Sequence, residues 1–245
     1  MDNLILSEVK QNVLIITLNR FDKKNALTTS MYQELCRLFE QASADSSIHC
    51  VLIQGNQSCF CAGNDLADFL AIEQGEEFVA FQFVQQLAAF NKPLIAAAAG
   101  PAVGIGTTLL LHCDMVFTAD NTKFKLPFAQ LGLCPEAGSS VLLPLRIGHN
   151  KAFELLVLGE TFTPEQALAL GIVNQICSPD ELLPLAEQTA LKIAKLPNEA
   201  VMASRKLLKN ATQSVFTALE DEKAAFSHLL QTEDCKSILS SFFNK

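Results

Sequence analysis

Two observations predict an α/β fold with a helical C-terminal region. Short β-branched runs alternate with segments of helical spacing over most of the chain, and from about Pro179 onward the strand signal disappears while helical spacing continues. Composition allows such a fold, because 49% of the 245 residues are apolar and only 18% are charged. That is ample material for a core and argues against disorder.

Val13 to Leu18 (VLIITL) and Cys50 to Gln54 (CVLIQ) are apolar runs of the kind that form strands buried on both faces. Between them Thr28 or Thr29 can cap a helix, since Met31, Leu35, Leu38, Phe39 and Ala42 then recur on one helical face. A second helix is predicted over Glu76 to Phe90, with Pro93 marking the restart and Leu94 to Ala98 the next buried strand. Gly100 to Gly106 reads as a loop, Thr107 to His112 as a buried helix and Asp114 to Ala119 as a strand. Thr163-Pro164-Glu165-Gln166 supplies an N-cap and an N1 proline for Ala167 to Leu170, stopped by Gly171 and followed by strand-like Ile172 to Ile176. Leu182 to Lys195, Glu199 to Lys209 and Val215 to Leu230 then read as helices. The expected division is a core over 1–178 and a helical region over 179–245. Phe226, Leu229, Leu230, Phe242 and Phe243 are too apolar for a solvated tail and must pack on the core or on another subunit.

Charge and punctuation exclude several classes. A net charge of -8 disfavours a nucleic-acid surface. Leu94 to Leu111 is uncharged and nearly long enough to span a bilayer, but Pro101 and the glycines at 100, 104 and 106 interrupt it, so no membrane span is expected. The eight cysteines lack the spacing of a disulfide scaffold or a zinc finger; Cys59-x-Cys61 has no second pair, and both it and His112-Cys113-Asp114 read as structural or incidental. With no secretory signal and no SKL ending, a cytoplasmic location is expected.

Two glycine-containing segments remain. Gly104-Ile105-Gly106 begins like a dinucleotide fingerprint, but Leu109 occupies the third glycine position and no suitable acid follows. What it offers is a tight turn into a short apolar helix, whose first amides lack internal partners and can hold an oxyanion. A purely structural turn explains the same glycines. In Phe60-Cys61-Ala62-Gly63-Asn64-Asp65-Leu66, small residues admit a ligand close to the backbone, while Asp65 reads as the cap of the following helix.

These segments, in register with NRFDKKNAL, GPAVGIGTTLLLHCDMVFTADNTKF, LPFAQLGLCPEAGSS and KAFELLVLGETFTPEQALALGIVNQI, resemble the enoyl-CoA hydratase/isomerase (crotonase) superfamily over nearly the whole chain. The resemblance implies a spiral of ββα units with a helical C-terminal region that mediates trimers or dimers of trimers. It also implies an acyl-CoA substrate whose enolate is held by two backbone amides, here those of Asn64 and Ile105. No metal or redox cofactor is implied, because coenzyme A is part of the substrate. The two glutamate positions of the hydratases correspond to Thr108 and Phe128, neither of which can activate water.

Cys134-Pro135-Glu136-Ala137-Gly138-Ser139-Ser140 looks like the site of the peroxisomal-type Δ3,Δ2-enoyl-CoA isomerases, and Glu136 matches their single catalytic glutamate. Local sequence alone reads Glu136 equally well as an acid in the first turn of a helix starting near Ser139. The resemblance further places CoA near Lys24 and Ala26, along Ala62, Gly63, Asn64, Asp65 and Leu66, and against Gly104 and Phe128. An apolar setting of Leu126, Phe128 and Leu133 is expected to raise the proton affinity of Glu136. Phe78, Phe81 and Phe83 read either as an acyl tunnel or as core. Other expected outcomes are a phenylacetate-type ring isomerase, a hydratase, or a non-catalytic CoA- or RNA-binding scaffold.

Overall fold

A computed structural model describes residues 3–71, 78–209 and 214–242. Eight strands are described: β1 (Ile5–Lys10), β2 (Val13–Leu18), β3 (Cys50–Gln54), β4 (Leu94–Ala98), β5 (Pro101–Val103), β6 (Met115–Ala119), β7 (Lys123–Lys125) and β8 (Gln175–Cys177). Helices α1 (Thr29–Ala44), α2 (Leu66–Ala71), α3 (Val79–Ala89) and α4 (Ile105–Thr108) lie in the first half. They are followed by α5 (Ser139–Ile147), α6 (His149–Phe153), α7 (Pro164–Ala169) and α8 (Pro179–Ala194). The chain closes with α9 (Asn198–Lys209), α10 (Ser214–Leu230) and α11 (Glu233–Ser241).

Six strands form one sheet in the order β1-β2-β3-β4-β6-β8, with β1 antiparallel at the edge and every other pairing parallel. The period-two geometry of a strand divides its residues between two cores. Leu14, Ile16, Val51, Ile53, Leu94, Ala96 and Ala98 enter the larger core with α1 and α3. Val13, Ile15, Cys50, Leu52, Ile95 and Ala97 face the other way, onto Leu182, Ala186, Ala190 and Ala194 of α8. Three alanines in β4 keep its side chains short on both faces. Strands β5 and β7 form a separate parallel pair.

The expected β2, β3 and β4 match the observed strands residue for residue, and Thr28 is the α1 cap, accepting a hydrogen bond from the Met31 amide. Thr163 and Gln166 form a reciprocal capping box on α7. Other boundaries move for identifiable reasons. Ile172 and Val173 are not strand residues: their amides bond back to the Ala167 carbonyl, so their apolarity serves burial beneath α7 and β8 begins only at Gln175. The helix expected from Thr107 starts at Ile105, and its Leu109–His112 end tightens into a 3₁₀ turn. Strand β6 starts at Met115 because the Asp114 carboxylate accepts the Leu94 amide at 2.8 Å and Arg205 Nε at 2.7 Å. The second helix starts at Val79; Glu76 and Glu77 lie outside the described residues. Phe226 and Leu230 are buried and Leu229 is half-buried, whereas Phe242 is exposed and Phe243 lies outside the described residues. Among the described residues no helix is long and apolar enough to cross a membrane, and Leu94 to Leu111 resolves into β4, β5 and the buried α4 turn.

Candidate active site

Three chain segments converge through backbone hydrogen bonds. The Ala62 amide donates to the Lys24 carbonyl at 2.9 Å, the Leu27 amide to the Gly63 carbonyl at 2.8 Å, and the Asp65 amide to the Leu27 carbonyl at 2.9 Å. On its other side the same segment ladders with β5, as the Cys61 amide donates to the Pro101 carbonyl and the Val103 amide returns to the Cys61 carbonyl. Two glycines permit this approach. A Cβ on Gly106 would stand 2.5 Å from the Cys61 carbonyl oxygen. Gly63 combines a φ of 103° with the Val103 carbonyl oxygen 3.1 Å from where its Cβ would be.

Asn64 and Gly104 are thereby brought to one cavity of about 60 Å³, lined by Ala62, Gly63, Asn64, Leu66, Gly104 and Phe128 among others, with Ile105 buried directly after Gly104. Among the described residues, neither the Asn64 nor the Ile105 N–H is engaged by an acceptor. Ile105 opens α4, where the first amides have no intrahelical partner. Tyr32, the sole tyrosine, donates from its phenol to the Asn64 side-chain carbonyl and so fixes that residue from α1.

Asp65 is a cap, as expected: its carboxylate accepts the Ala67 amide at 2.9 Å, and it also pairs with Arg20 at 2.7 Å. Burial pushes its carboxyl up, but Arg20 and the amides outweigh burial and hold it below the usual range. The same Arg20 donates to the Ala26 carbonyl at 2.9 Å. Arg20 therefore ties the Lys24–Ala26 loop to the cavity rim, with the Lys24 side chain exposed.

Glu136 is buried, at 7% exposure, and lines a separate small cavity with Phe81, Val84, Ala137, Leu219, Glu222 and Lys223. Its apolar wall differs from the expected one: α3 and α10 supply it, whereas Phe128 and Leu133 line the Asn64 cavity and Leu126 is core. Thr108 ties Glu136 to α4: its hydroxyl donates to Glu136 Oε1 at 2.6 Å from one turn beyond Ile105. Burial raises the Glu136 carboxyl to about 8; the Thr108 hydrogen bond opposes the rise and the nearby Glu222 adds to it.

Phe83 is fully buried core, while Phe81 reaches the Glu136 cavity and Phe78 precedes α3 as its cap residue. Of the two readings of His112-Cys113-Asp114, His112 takes the structural one. Its Nε2 bonds the Ala137 carbonyl oxygen at 2.7 Å, and burial lowers the imidazole to about 4, so the neutral ring donates. Tyr32 and Glu222 carry no local sequence signal, and Arg20 and His112, though inside NRFDKKNAL and His112-Cys113-Asp114, gain their roles only from partners distant in the chain. All eight cysteines are free thiols, and among the described residues no group of three His, Cys, Asp or Glu could hold a metal ion.

A buried carboxylate raised toward neutral pH, tied through Thr108 to the short helix that Ile105 opens with an unengaged amide, is the constellation of a proton-transferring enzyme. The family profile described as enoyl-CoA hydratase/isomerase matches residues 8–245, and the chain belongs to that family. It is 36% identical to 2,3-dehydroadipyl-CoA hydratase of Escherichia coli K12, covering 100% of this chain and 97% of that protein. It is 34% identical to enoyl-CoA delta isomerase 2 of Rattus norvegicus, covering 98% of this chain and 63% of that protein. Among solved structures, OdaA of Pseudomonas aeruginosa shares 41% identity and a TM-score of 0.95, with 100% of both chains covered.

Proposed function

We propose that the protein is a Δ3,Δ2-enoyl-CoA isomerase with Glu136 as its one acid-base group. The observation that carries this reading is the Glu136 carboxylate, buried, raised to about 8 and hydrogen-bonded by Thr108 on the short helix that begins with Ile105. Glu136 removes a proton from C2 of a 3-enoyl-CoA, which is acidified by both the thioester and the alkene. Charge passes to the thioester oxygen, where the Asn64 and Ile105 amides stabilise it. The conjugate acid of Glu136 then delivers the proton to C4, giving the 2-enoyl-CoA with no net gain or loss of protons. Lys24, Ala26, Ala62, Gly63, Asp65, Leu66, Gly104 and Phe128 surround the CoA ester in this reading, which needs no metal or redox cofactor.

Adding water across the alkene instead requires a second acid-base group. Glu222 lines the same cavity as Glu136, but its two oxygens accept the Gly138 and Ser140 amides at 2.6 and 2.9 Å. Thr108 and Phe128 offer no carboxylate. This supports isomerisation over hydration although a hydratase stands among the relatives.

The division into a core over 1–178 and a helical region over 179–245 belongs to the same reading. Helix α10 reaches both cavities, with Phe226 at one and Leu219 and Glu222 at the other, which suits a role in closing the site. Exposed Leu207, Leu208 and Phe216 provide apolar surface for a homotrimer or dimer of trimers.

The deciding assay follows conjugation of a 3-enoyl-CoA by absorbance, with hydration of crotonyl-CoA measured in parallel. Glu136→Gln is expected to lose roughly 10²–10⁴ in rate, the range of a positioned general base. Faster hydration than isomerisation by the parent, or full activity in the variant, rejects the reading.

A further inference from the structure

The turn that presents Glu136 is conformationally costly. Ala137 has φ 58° and Gly138 φ 67°, two successive left-handed residues of which the first carries a Cβ. Such geometry persists only where surrounding structure holds it. Two side chains from distant parts of the chain do so here. From the 3₁₀ turn after α4, His112 Nε2 donates to the Ala137 carbonyl at 2.7 Å. From α10, the Glu222 carboxylate accepts the Gly138 amide at 2.6 Å and the Ser140 amide at 2.9 Å.

Both groups are themselves buried, His112 at 4% and Glu222 at 7% exposure. Breaking either contact would leave a polar group unpaired away from water, so the hold resists fraying. Gly138 also packs tightly against α10, since a Cβ there would lie 2.7 Å from Val215 Cγ1. Glu222 does more than cap α5, because it brings a negative charge into the cavity that Glu136 lines.

We propose that Glu222 and His112 are positioning residues for Glu136: together they grip the left-handed turn that aims its carboxylate, and Glu222 in addition sets a second carboxylate in the cavity that Glu136 lines. This rests on Glu136 being the base of the proposed reaction. The two residues differ in electrical effect. Neutral His112 contributes geometry alone, whereas the Glu222 charge disfavours ionisation of its neighbour and increases its affinity for a proton. Other groups facing Glu136 are Tyr32 from α1, Cys61, Cys134 and Lys223. Burial lifts the first three well out of the neutral range, Cys61 to about 12 and Cys134 to about 11.

The test compares kcat and KM against pH for 3-enoyl-CoA isomerisation in the parent, Glu222→Gln, His112→Leu and His112→Gln, with thermal melting to establish that each is folded. Glu222→Gln keeps the shape but loses the charge and, because its amide nitrogen cannot accept, one of the two hydrogen bonds from the Gly138 and Ser140 amides. Its acid limb is expected to move down by about half to one pH unit, with kcat at the plateau falling about tenfold and KM changing far less. His112→Leu is expected to lose a similar factor in kcat without moving the limb. His112→Gln should recover much of it, because a carboxamide can donate to the Ala137 carbonyl.

A direct readout separates this proposal from the isomerase reading. The Glu136 carboxyl carbon, identified by its absence in Glu136→Gln, is titrated by NMR in the parent and in Glu222→Gln. If the parent does not isomerise 3-enoyl-CoA but the resonance titrates lower in Glu222→Gln, the function is wrong and the coupling stands. An unmoved resonance, or folded Glu222→Gln and His112→Leu proteins with parental kcat, overturns the proposal.

Discussion

The Thr108 hydroxyl donates to Glu136 Oε1 at 2.6 Å, from the residue one helical turn past Ile105. One short helix therefore holds both the proposed base and an amide of the proposed oxyanion hole. The hydrogen bond favours the ionised carboxylate and opposes the burial that raises it to about 8. Thr108→Val removes the donor while keeping the shape, so the carboxyl should rise further. The acid limb of kcat/KM is expected to move to higher pH, with about a tenfold loss at pH 7 that shrinks at alkaline pH. Thr108→Ser should restore the parental profile. A Thr108→Val profile that overlays the parent would mean that the hydroxyl does not act on the base.

Burial of Glu136 makes a stability prediction with a definite sign. Its folded pKa, about 8, lies above the ordinary value of 4.5, so between those limits the folded state binds more protons than the unfolded state. Stability from this group is fully present below the lower limit and is lost as pH rises through the upper one. Glu136→Gln cannot ionise. Chemical denaturation at pH 5 and pH 9 should show the variant gaining on the parent by on the order of a few kcal/mol at the higher pH. A constant difference across the range would show that the carboxyl is not held neutral by the fold.

His112 works in the opposite direction. Burial lowers its imidazole from 6.5 to about 4, and the hydrogen bond to the Ala137 carbonyl only partly resists. Unfolding then takes up a proton between those values, so stability falls as pH drops from 6.5 toward 4. His112→Gln retains a donor without a titrating ring and should flatten that decline. Melting temperatures from pH 4 to 7 check it; parallel curves for parent and variant would contradict the assignment.

What the sequence revealed and what it hid follow from the range of the interactions. Strands β2, β3 and β4 were legible because burial on both faces leaves uninterrupted β-branched or alanine runs. Edge strand β1 was not, since only Ile5 of ILSEVK is buried. Ile172 and Val173 imitated a strand because burial under a helix end and burial in a sheet select the same side chains. In the site, Asn64, Gly63 and Gly104 could be read from turn chemistry, and Glu136 from its resemblance-bearing context. His112 and Glu222 could not, because they reach the Glu136 turn from 25 residues before Ala137 and 84 residues after Gly138. Pairings at such separations leave no local pattern.

Gly106 tests whether the two loops must approach as closely as they do. Its backbone is ordinary helix, so Gly106→Ala carries no conformational penalty and isolates the steric term. The added Cβ would lie 2.5 Å from the Cys61 carbonyl oxygen and 2.9 Å from the Cys61 Cβ, both in the segment leading to Asn64. Neither neighbour is the free end of a flexible side chain, so α4 and the Cys61–Asn64 segment must separate. Overpacking of this kind costs about 1–3 kcal/mol, and denaturation should read a loss in that range. Separation would also pull apart the Asn64 and Ile105 amides, which are proposed to share one thioester oxygen, and a misplacement near 1 Å can cost about 10²-fold in rate. The variant should therefore lose far more kcat than its stability implies, while remaining folded at the assay temperature. A stable, fully active Gly106→Ala protein would mean that this contact does not set the proposed oxyanion hole, and would assign the glycine to helix packing alone.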